Sequence, residues 1–402
     1  MLLIWIAPHQ YQLPYEITSE EVFYMYYITV KQSPRYHQMS LEEFWFGADS
    51  APREISGSVS DTRTYCVEEV SERFTGRANV QTIIRKLVAF NEKTKELREA
   101  PRHSLYKEFY IPKKSHGLRK IDAPNDELMN ALRELKVIFE DDCHALYHTS
   151  AFAYIKNRCT IDCVKRHQQN ESRWFGKYDL SNFFGSTTLE FAMSMFSMVF
   201  PFSEVVKTSE GKTALETALS LAFLDGGLPQ GTPISPSITN IMMIPVDFTL
   251  ANKLRDYNGQ RYVYTRYADD FHISSKYTFQ FREIEEMIQE VLASFNAPFR
   301  INESKTRYGS SAGRNWMLGV MLNKDNNVTV GYQNKKHFQR MLENFVMDAK
   351  NNIQWDASDV QVMEGLRSYY KMVEGETIDR IVAHVNQKFG VRVESMIKKA
   401  LR

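Results

Sequence analysis

Arg266-Tyr267-Ala268-Asp269-Asp270-Phe271 sets two adjacent carboxylates between short runs of strand-forming residues. Arg261-Tyr262-Val263-Tyr264-Thr265 leads in, and Phe271-His272-Ile273-Ser274-Ser275 leads out. β-Branched and aromatic residues on both sides predict a β-hairpin with Ala268-Asp269-Asp270 at its turn. A tight turn brings both Asp side chains near one point, where they repel unless a cation lies between them. A hard divalent metal with oxygen ligands, such as Mg²⁺, suits that position. Asp is also a favoured turn residue, so on this stretch alone plain turn chemistry explains the pair equally well.

The surrounding chain has 402 residues, room for two or three domains. Its 43% hydrophobic and 25% charged content is that of an ordinary globular protein, and no run of 18 apolar residues predicts a membrane-spanning helix. Met1-Leu2-Leu3-Ile4-Trp5-Ile6-Ala7 is apolar but lacks the basic lead-in of a signal peptide, and is expected to pack as a strand. Cys66, Cys143, Cys159 and Cys163 show no CxxC pairing, so neither a zinc site nor a disulfide framework is expected, and a reducing cytoplasm fits. The formal net charge of +1 is low for a nucleic-acid binder. It is unevenly spread, however: residues 1–60 carry −4, which leaves +5 on the rest, a modest basic bias compatible with a binding groove.

Residues 1–76 are rich in aromatics and read as an irregular packed extension. Asn79 to Ala100 has a helical apolar face through Ile83, Ile84, Leu87, Val88 and Leu97, ended by Pro101. Phe109 to Pro124 reads as a hairpin with a basic turn; Lys113 and Arg119 on it either reach phosphate or coat a solvated tip. Pro124-Asn125-Asp126 then opens a helix. In Ala151–His167 the basic Arg158, Lys165, Arg166 and His167 line either a strand-binding surface or an ordinary helix face. Trp174 to Tyr178 is an apolar strand that ends in Asp179, which suits a metal or a cap. Gly226 to Pro236 is a rigid loop in which Gly231 permits close approach of a ligand. It enters a helix over 237–254. A helix is expected over 279–295, a strand and turn over Phe299–Lys305, a strand over Trp316–Asn323, and helices from Tyr332 with breaks near Asp356 and Gly375.

The order of these pieces is more specific than any one of them. Asp179 at a strand end, the Gly227-Leu228-Pro229-Gln230-Gly231-Thr232-Pro233 loop, Tyr267-Ala268-Asp269-Asp270, Lys305 and Leu318-Gly319 together resemble the blocks of a reverse transcriptase palm. The resemblance runs from about Tyr110 to the C-terminus. Arg119-Lys120-Ile121-Asp122-Ala123-Pro124 resembles the first fingers block of the bacterial branch that holds retron, abortive-infection and phage-defence enzymes. His167 matches the end of the retron Asn-Ala-x-x-His block. A retron-like Val-Thr-Gly thumb triplet is not evident, and Ser235-Pro236 departs from the Ser-Gln of diversity-generating enzymes.

This resemblance implies an α+β right-hand polymerase fold: an N-terminal extension (1–100), fingers (101–173), a palm with an antiparallel sheet (174–325) and a helical thumb (326–402). It implies an RNA-directed DNA polymerase, stand-alone and acting in anti-phage defence, with a non-coding RNA as template and deoxynucleotides as substrates. Two Mg²⁺ ions about 3.5–4 Å apart would stabilise the attacking and leaving oxygens. Asp179 and Asp269, from separate segments, would bridge them, with Asp270 as auxiliary ligand. Phe184 would exclude a 2′-hydroxyl. Arg119 would clamp the triphosphate with Lys113 as helper, Lys305 would serve the leaving pyrophosphate, and Gln230, Gly231 and His167 would meet the template, primer or nascent pair. The extension could seat a partner protein or a second copy. The alternatives are a template-independent or protein-primed polymerase, an RNA-binding scaffold, and, less well matched to Phe184, an RNA-dependent RNA polymerase.

Overall fold

Alternating residues from Tyr106 onward form a two-stranded antiparallel hairpin, β1 (Tyr106–Pro112) and β2 (Leu118–Pro124), with Tyr106 opposite Pro124 and Pro112 opposite Leu118. On one face the Lys120 ammonium lies 2.9 Å from Glu108 and 3.1 Å from Asp122. Arg119 and Ile121 alternate onto the other face. Asn125 caps the following helix, its side chain accepting the Leu128 N–H at 2.9 Å. The computed structural model describes residues 80–112, 117–142, 147–313 and 315–401, so the expected N-terminal extension up to residue 79, and Lys113, lie outside the described residues.

Strands β3 (Trp174–Asp179), β4 (Tyr262–Tyr267), β5 (Asp270–Ser275) and β6 (Arg307–Ser310) form a sheet in the order β4-β5-β3-β6. The expected hairpin is β4–β5. The chain divides into two compact units. One takes the chain up to Arg158, Tyr178–Phe271 and Gln280–Thr306; the other takes Cys159–Lys177, His272–Phe279 and Arg307–Arg402.

The first unit is cored by helices. Val80–Lys93 buries Ile83, Ile84 and Leu87 of the expected stripe together with Phe90, while Val88 and Leu97 are only partly buried, and Asn91 donates to the Ala214 carbonyl at 2.8 Å. Phe139, Phe196 and Phe202 form a ring cluster with centroids 4.7–5.6 Å apart. The single helix expected over 237–254 is two, Ser235–Met242 and Ile244–Asp256. Each has a proline (Pro236, Pro245) in its first turn, where the missing N–H has no intrahelical partner to lose. Phe299–Lys305 is not a strand. Only Ile301 bridges Leu180, and Asn302-Glu303-Ser304 turn the chain, with the Lys305 and Thr306 N–H groups both donating to the Asn302 carbonyl at 3.0 Å.

In the second unit β3 pairs with β6 from Trp174–Ser310 to Lys177–Arg307. The strand expected over Trp316–Asn323 is broken by a tight turn: Leu318 and Gly319 both have positive φ while Met317 pairs with Val320. What remains is β7 (Met321–Leu322), which pairs with β8 (Val328–Thr329). Helices Tyr332–Lys350, Ala357–Phe389 and Val393–Ala400 follow. The break expected near Gly375 is a kink at Glu374 (φ −137°, ψ 58°). The Glu374 carboxylate accepts hydrogen bonds from the Thr329 hydroxyl (2.8 Å), the Val330 N–H (2.9 Å) and the Lys335 ammonium (2.8 Å). Burial pushes its pKa up, but these donors outweigh burial and hold it below the ordinary range.

A group with a lowered folded pKa contributes stability above its unfolded pKa and loses it as the pH falls. Glu374→Gln should therefore cost about 1–3 kcal/mol of unfolding free energy at pH 7. In urea titrations the difference from wild type should shrink at pH values below the ordinary glutamate range.

Candidate active site

The turn between β4 and β5 rests on a fully buried charge. Arg266 and Asp247 have no exposed side-chain surface, and the guanidinium grips both carboxylate oxygens at 2.8 Å. The Tyr264 hydroxyl donates to the same carboxylate at 2.6 Å. Burial works against the Arg266 charge, and Asp247 together with Tyr264 more than offsets it, so its pKa is raised. The remaining Arg266 nitrogen donates to the Ala268 carbonyl (3.2 Å) and to Asn240 Oδ1 (3.3 Å). Ala268, in the two-residue loop between β4 and β5, has φ +57°, a conformation that glycine usually fills in such loops. Arg266 thus holds a strained turn from its concave side, and Asp269 is the next residue.

Asp179, at the end of β3, is brought beside this turn by main-chain bonds. The Leu180 N–H donates to the Asp269 carbonyl at 3.0 Å. On the other side, the Asn302 N–H donates to the Asp179 carbonyl (2.7 Å) and the Ser181 N–H to the Arg300 carbonyl (2.8 Å). The Asp179 side chain is almost wholly buried, and Lys305 Nζ sits 3.0 and 3.1 Å from its two oxygens. Asp269 has a pKa pushed up to about 6, first by burial, then by the Asp270 and Asp179 carboxylates, with Lys305 opposing. Among the described residues no three His, Cys, Asp or Glu side chains are gathered as a ready-made metal site. The donor set nevertheless suits a hard divalent cation. Its ligands would be carboxylate oxygens whose mutual repulsion already weakens one acid, and an ammonium is already drawn to Asp179.

Phe183 and Phe184 face different ways. Phe183 is buried against Phe299, with centroids 4.9 Å apart; Phe184 is partly exposed and meets Phe183 edge-on at 5.6 Å. The Phe184 carbonyl accepts the Leu228 N–H at 2.9 Å, which ties it to the Gly-Pro loop. The close approach expected at Gly231 is made to the chain's own β2. At φ +122°, a Cβ there would lie 2.9 Å from Ile121 Cγ2 and 3.0 Å from the Asp122 carbonyl oxygen. The neighbouring Gln230 carbonyl accepts the Asp122 N–H at 2.9 Å. Arg119 is exposed on the hairpin face that also carries Ile121.

His167 is a different case. It lies in the second unit, fully buried, with Nδ1 2.6 Å from the Ser274 hydroxyl, and burial, followed by the charges of His272 and Arg166, lowers its pKa well below 6.5. An enclosed, neutral ring presents no surface to a nucleic-acid strand; its place is in the packing of β5 and the helix Thr160–Gln169. Sequence reasoning also passed over two contributors. Asp247 sits in an apolar helix, with nothing local to mark it as the partner of Arg266. Tyr154 is more than half exposed between the buried Ala153 and a polar loop.

The sheet, the carboxylate-bearing hairpin and the helical core define a right-hand polymerase of α+β class. The family model for reverse transcriptase (RNA-dependent DNA polymerase) matches residues 111–336, more than half of the chain, and the chain belongs to that family. Its enzyme class is RNA-directed DNA polymerase; members bind an RNA template and a DNA product and generally use divalent metal ions. The retron Ec83 reverse transcriptase of Escherichia coli is 25% identical over 73% of this chain and 90% of its own length. The retron Ec73 enzyme of the same species is 28% identical over 52% and 65%. The retron Mx65 enzyme of Myxococcus xanthus is 26% identical over 71% and 64%. A solved telomerase structure from Candida tropicalis is 13% identical, with TM-score 0.41, over 74% of this chain and 61% of that one.

Removing one member of a buried ion pair leaves the other uncompensated, so Arg266→Met should cost about 3–5 kcal/mol of stability. Adding Asp247→Leu should restore much of that stability, because an apolar pair packs without desolvated charge. The double variant should still extend primers at least about ten times more slowly, because the Ala268 carbonyl has lost its donor. Urea unfolding and primer extension on the same samples check both halves.

Proposed function

We propose that this chain is a retron-like reverse transcriptase that copies a dedicated non-coding RNA into DNA, with Asp179, Asp269 and Asp270 holding Mg²⁺. The observation that carries the reading is the Leu180–Asp269 main-chain bond, which joins a strand-end carboxylate to a carboxylate-bearing hairpin from a segment far along the chain. When bound there, two divalent cations supply electrostatic stabilisation to the attacking 3′-oxygen and the leaving oxygen. The chain's own residues do the rest. Asp179 and Asp269 would hold the cations, with Asp270 as an auxiliary ligand. Arg119 binds the triphosphate through a fixed fork of donors, with Lys113 beside it. Lys305, half-exposed and paired with Asp179, would be released to neutralise pyrophosphate if that carboxylate were to hold a cation. Phe184, partly exposed and tied to Leu228, bars a 2′-hydroxyl and so selects deoxynucleotides. Gln230 meets the nascent pair.

Residues 101–173 are assigned to fingers, 174–325 to palm and 326–402 to thumb, with residues 1–100 as an extension for a partner or a second copy. Among the described residues no helix is long and apolar enough to cross a membrane. Cysteine usage supports a cytoplasmic setting, and the likeness to bacterial defence enzymes supports a role against phage.

Asp269→Asn should abolish Mg²⁺-dependent incorporation and leave the circular dichroism spectrum unchanged; normal primer extension by the variant would refute the site. Sequencing nucleic acids that co-purify from cells should give the same RNA with wild type and Asp269→Asn, but complementary DNA only with wild type. Phe184→Val should raise ribonucleotide incorporation relative to deoxynucleotide by about tenfold or more in matched single-nucleotide assays.

A further inference from the structure

Tyr154 is the one aromatic in the segment 150–154 that faces solvent. Ala151, Phe152 and Ala153 are buried, yet Tyr154 is 55% exposed. Its backbone is held at φ +61°, a conformation that a bulky residue adopts only when its surroundings impose it. Those surroundings can be named. The Arg266 N–H donates to the Ser150 carbonyl (2.6 Å) and the Phe152 N–H to the Arg266 carbonyl (2.9 Å), so Ala151 and Arg266 form a parallel bridge. Arg158 draws the loop closed by donating to the His148 and Ala151 carbonyls at 2.8 and 2.5 Å.

Parallel pairing gives this segment a definite register. Tyr154 lies three residues beyond Ala151, and Asp269 three beyond Arg266. The residues just before them are fixed by one side-chain pair: Asn240 donates to the Ala153 carbonyl at 2.8 Å and accepts from Arg266, while Arg266 donates to the Ala268 carbonyl. Tyr154 is therefore delivered to the same edge as Asp269 by the same buried scaffold. Burial of the ring, followed by the charges of Asp269 and Tyr267, raises the pKa of its hydroxyl against the opposing charge of Arg119, so it keeps its proton at neutral pH.

We propose that the Tyr154 hydroxyl contacts the substrate, donating a hydrogen bond to the triphosphate of the incoming nucleotide. Tyr154 is within electrostatic reach of both the Asp269 carboxylate and the Arg119 guanidinium, the two groups a bound triphosphate would span. A neutral phenol is suited to that place: it donates to an anionic oxygen without adding a positive charge that would compete with a metal for the carboxylates. The strained backbone then has a purpose, since it turns the side chain out of the core and toward the reacting groups. This inference rests on the polymerase reading of Asp269 and Arg119.

The test is Tyr154→Phe, which removes one oxygen and keeps the ring and the backbone. Calorimetric titration of the full chain with a deoxynucleoside triphosphate, in the presence of primer–template and Ca²⁺, should show at least about tenfold weaker binding, the effect of one hydrogen bond to a charged group. In turnover with Mg²⁺, KM for the nucleotide should rise by the same factor with kcat within about twofold, the signature of lost uniform binding. Inhibition by inorganic triphosphate should weaken in parallel, and affinity for primer–template should not change. Equal nucleotide affinity in the two proteins overturns the proposal, as does a loss confined to primer–template affinity, which would put the hydroxyl on the nucleic-acid backbone. If wild type binds nucleotide and never incorporates it, the polymerase reading fails, and the titration still decides Tyr154. If wild type binds no nucleotide, both fall.

Discussion

One buried ion pair, Arg266 with Asp247, sets the geometry on which the site depends. Its donors reach several parts of the first unit: two to the helix that carries Asp247, one to the turn carbonyl before Asp269 and to Asn240, while its own main chain pairs with Ser150 and Phe152. Apolar side chains of the same volume would fill the space at lower desolvation cost. They could not hold a carbonyl of a residue at positive φ. The pair trades packing stability for a fixed turn, which accords with its lying directly beneath the carboxylates.

Above it, the carboxylates form a cluster that is electrostatically unsatisfied by design. Asp269 is a weaker acid than usual because burial and two like charges oppose its ionisation, and Lys305, hydrogen-bonded to Asp179, offsets this only in part. A site that is complete without metal would bind none. This one keeps a surplus of negative charge in partly buried surroundings, the condition under which a divalent cation is held most firmly.

Much of this was legible in the sequence because it is local. Alternation and turn chemistry gave the β1–β2 and β4–β5 hairpins, helical periodicity gave Val80–Lys93 and Phe281–Ser294, and Asp179 falls at the end of its strand as the pattern indicates. The misses are non-local. Nothing near Gly231 shows that the open side of the residue is filled by Ile121 more than a hundred positions earlier, and nothing near His167 shows that its ring is enclosed by the strand carrying Ser274. Asp247 looks like an ordinary polar residue on a helix until Arg266 is placed against it. The short strands failed for a different reason: the turn at Asn302-Glu303-Ser304 leaves only Ile301 to pair, and Leu318-Gly319 turn back within an apolar run, where backbone geometry prevailed over hydrophobicity.

The Gly231 contact has a mechanical consequence. Because the Gln230 carbonyl is bonded to the Asp122 N–H, and because no side chain separates Gly231 from Ile121, the loop and the hairpin are riveted at β2. Away from that rivet, β1 is exposed from Lys107 to Pro112 and β2 from Leu118 to Lys120. The hairpin is thus a lever with its fulcrum at Asp122. A load on Arg119 is felt at Gln230, and the exposed half of the hairpin cannot tilt without moving the Gly-Pro loop.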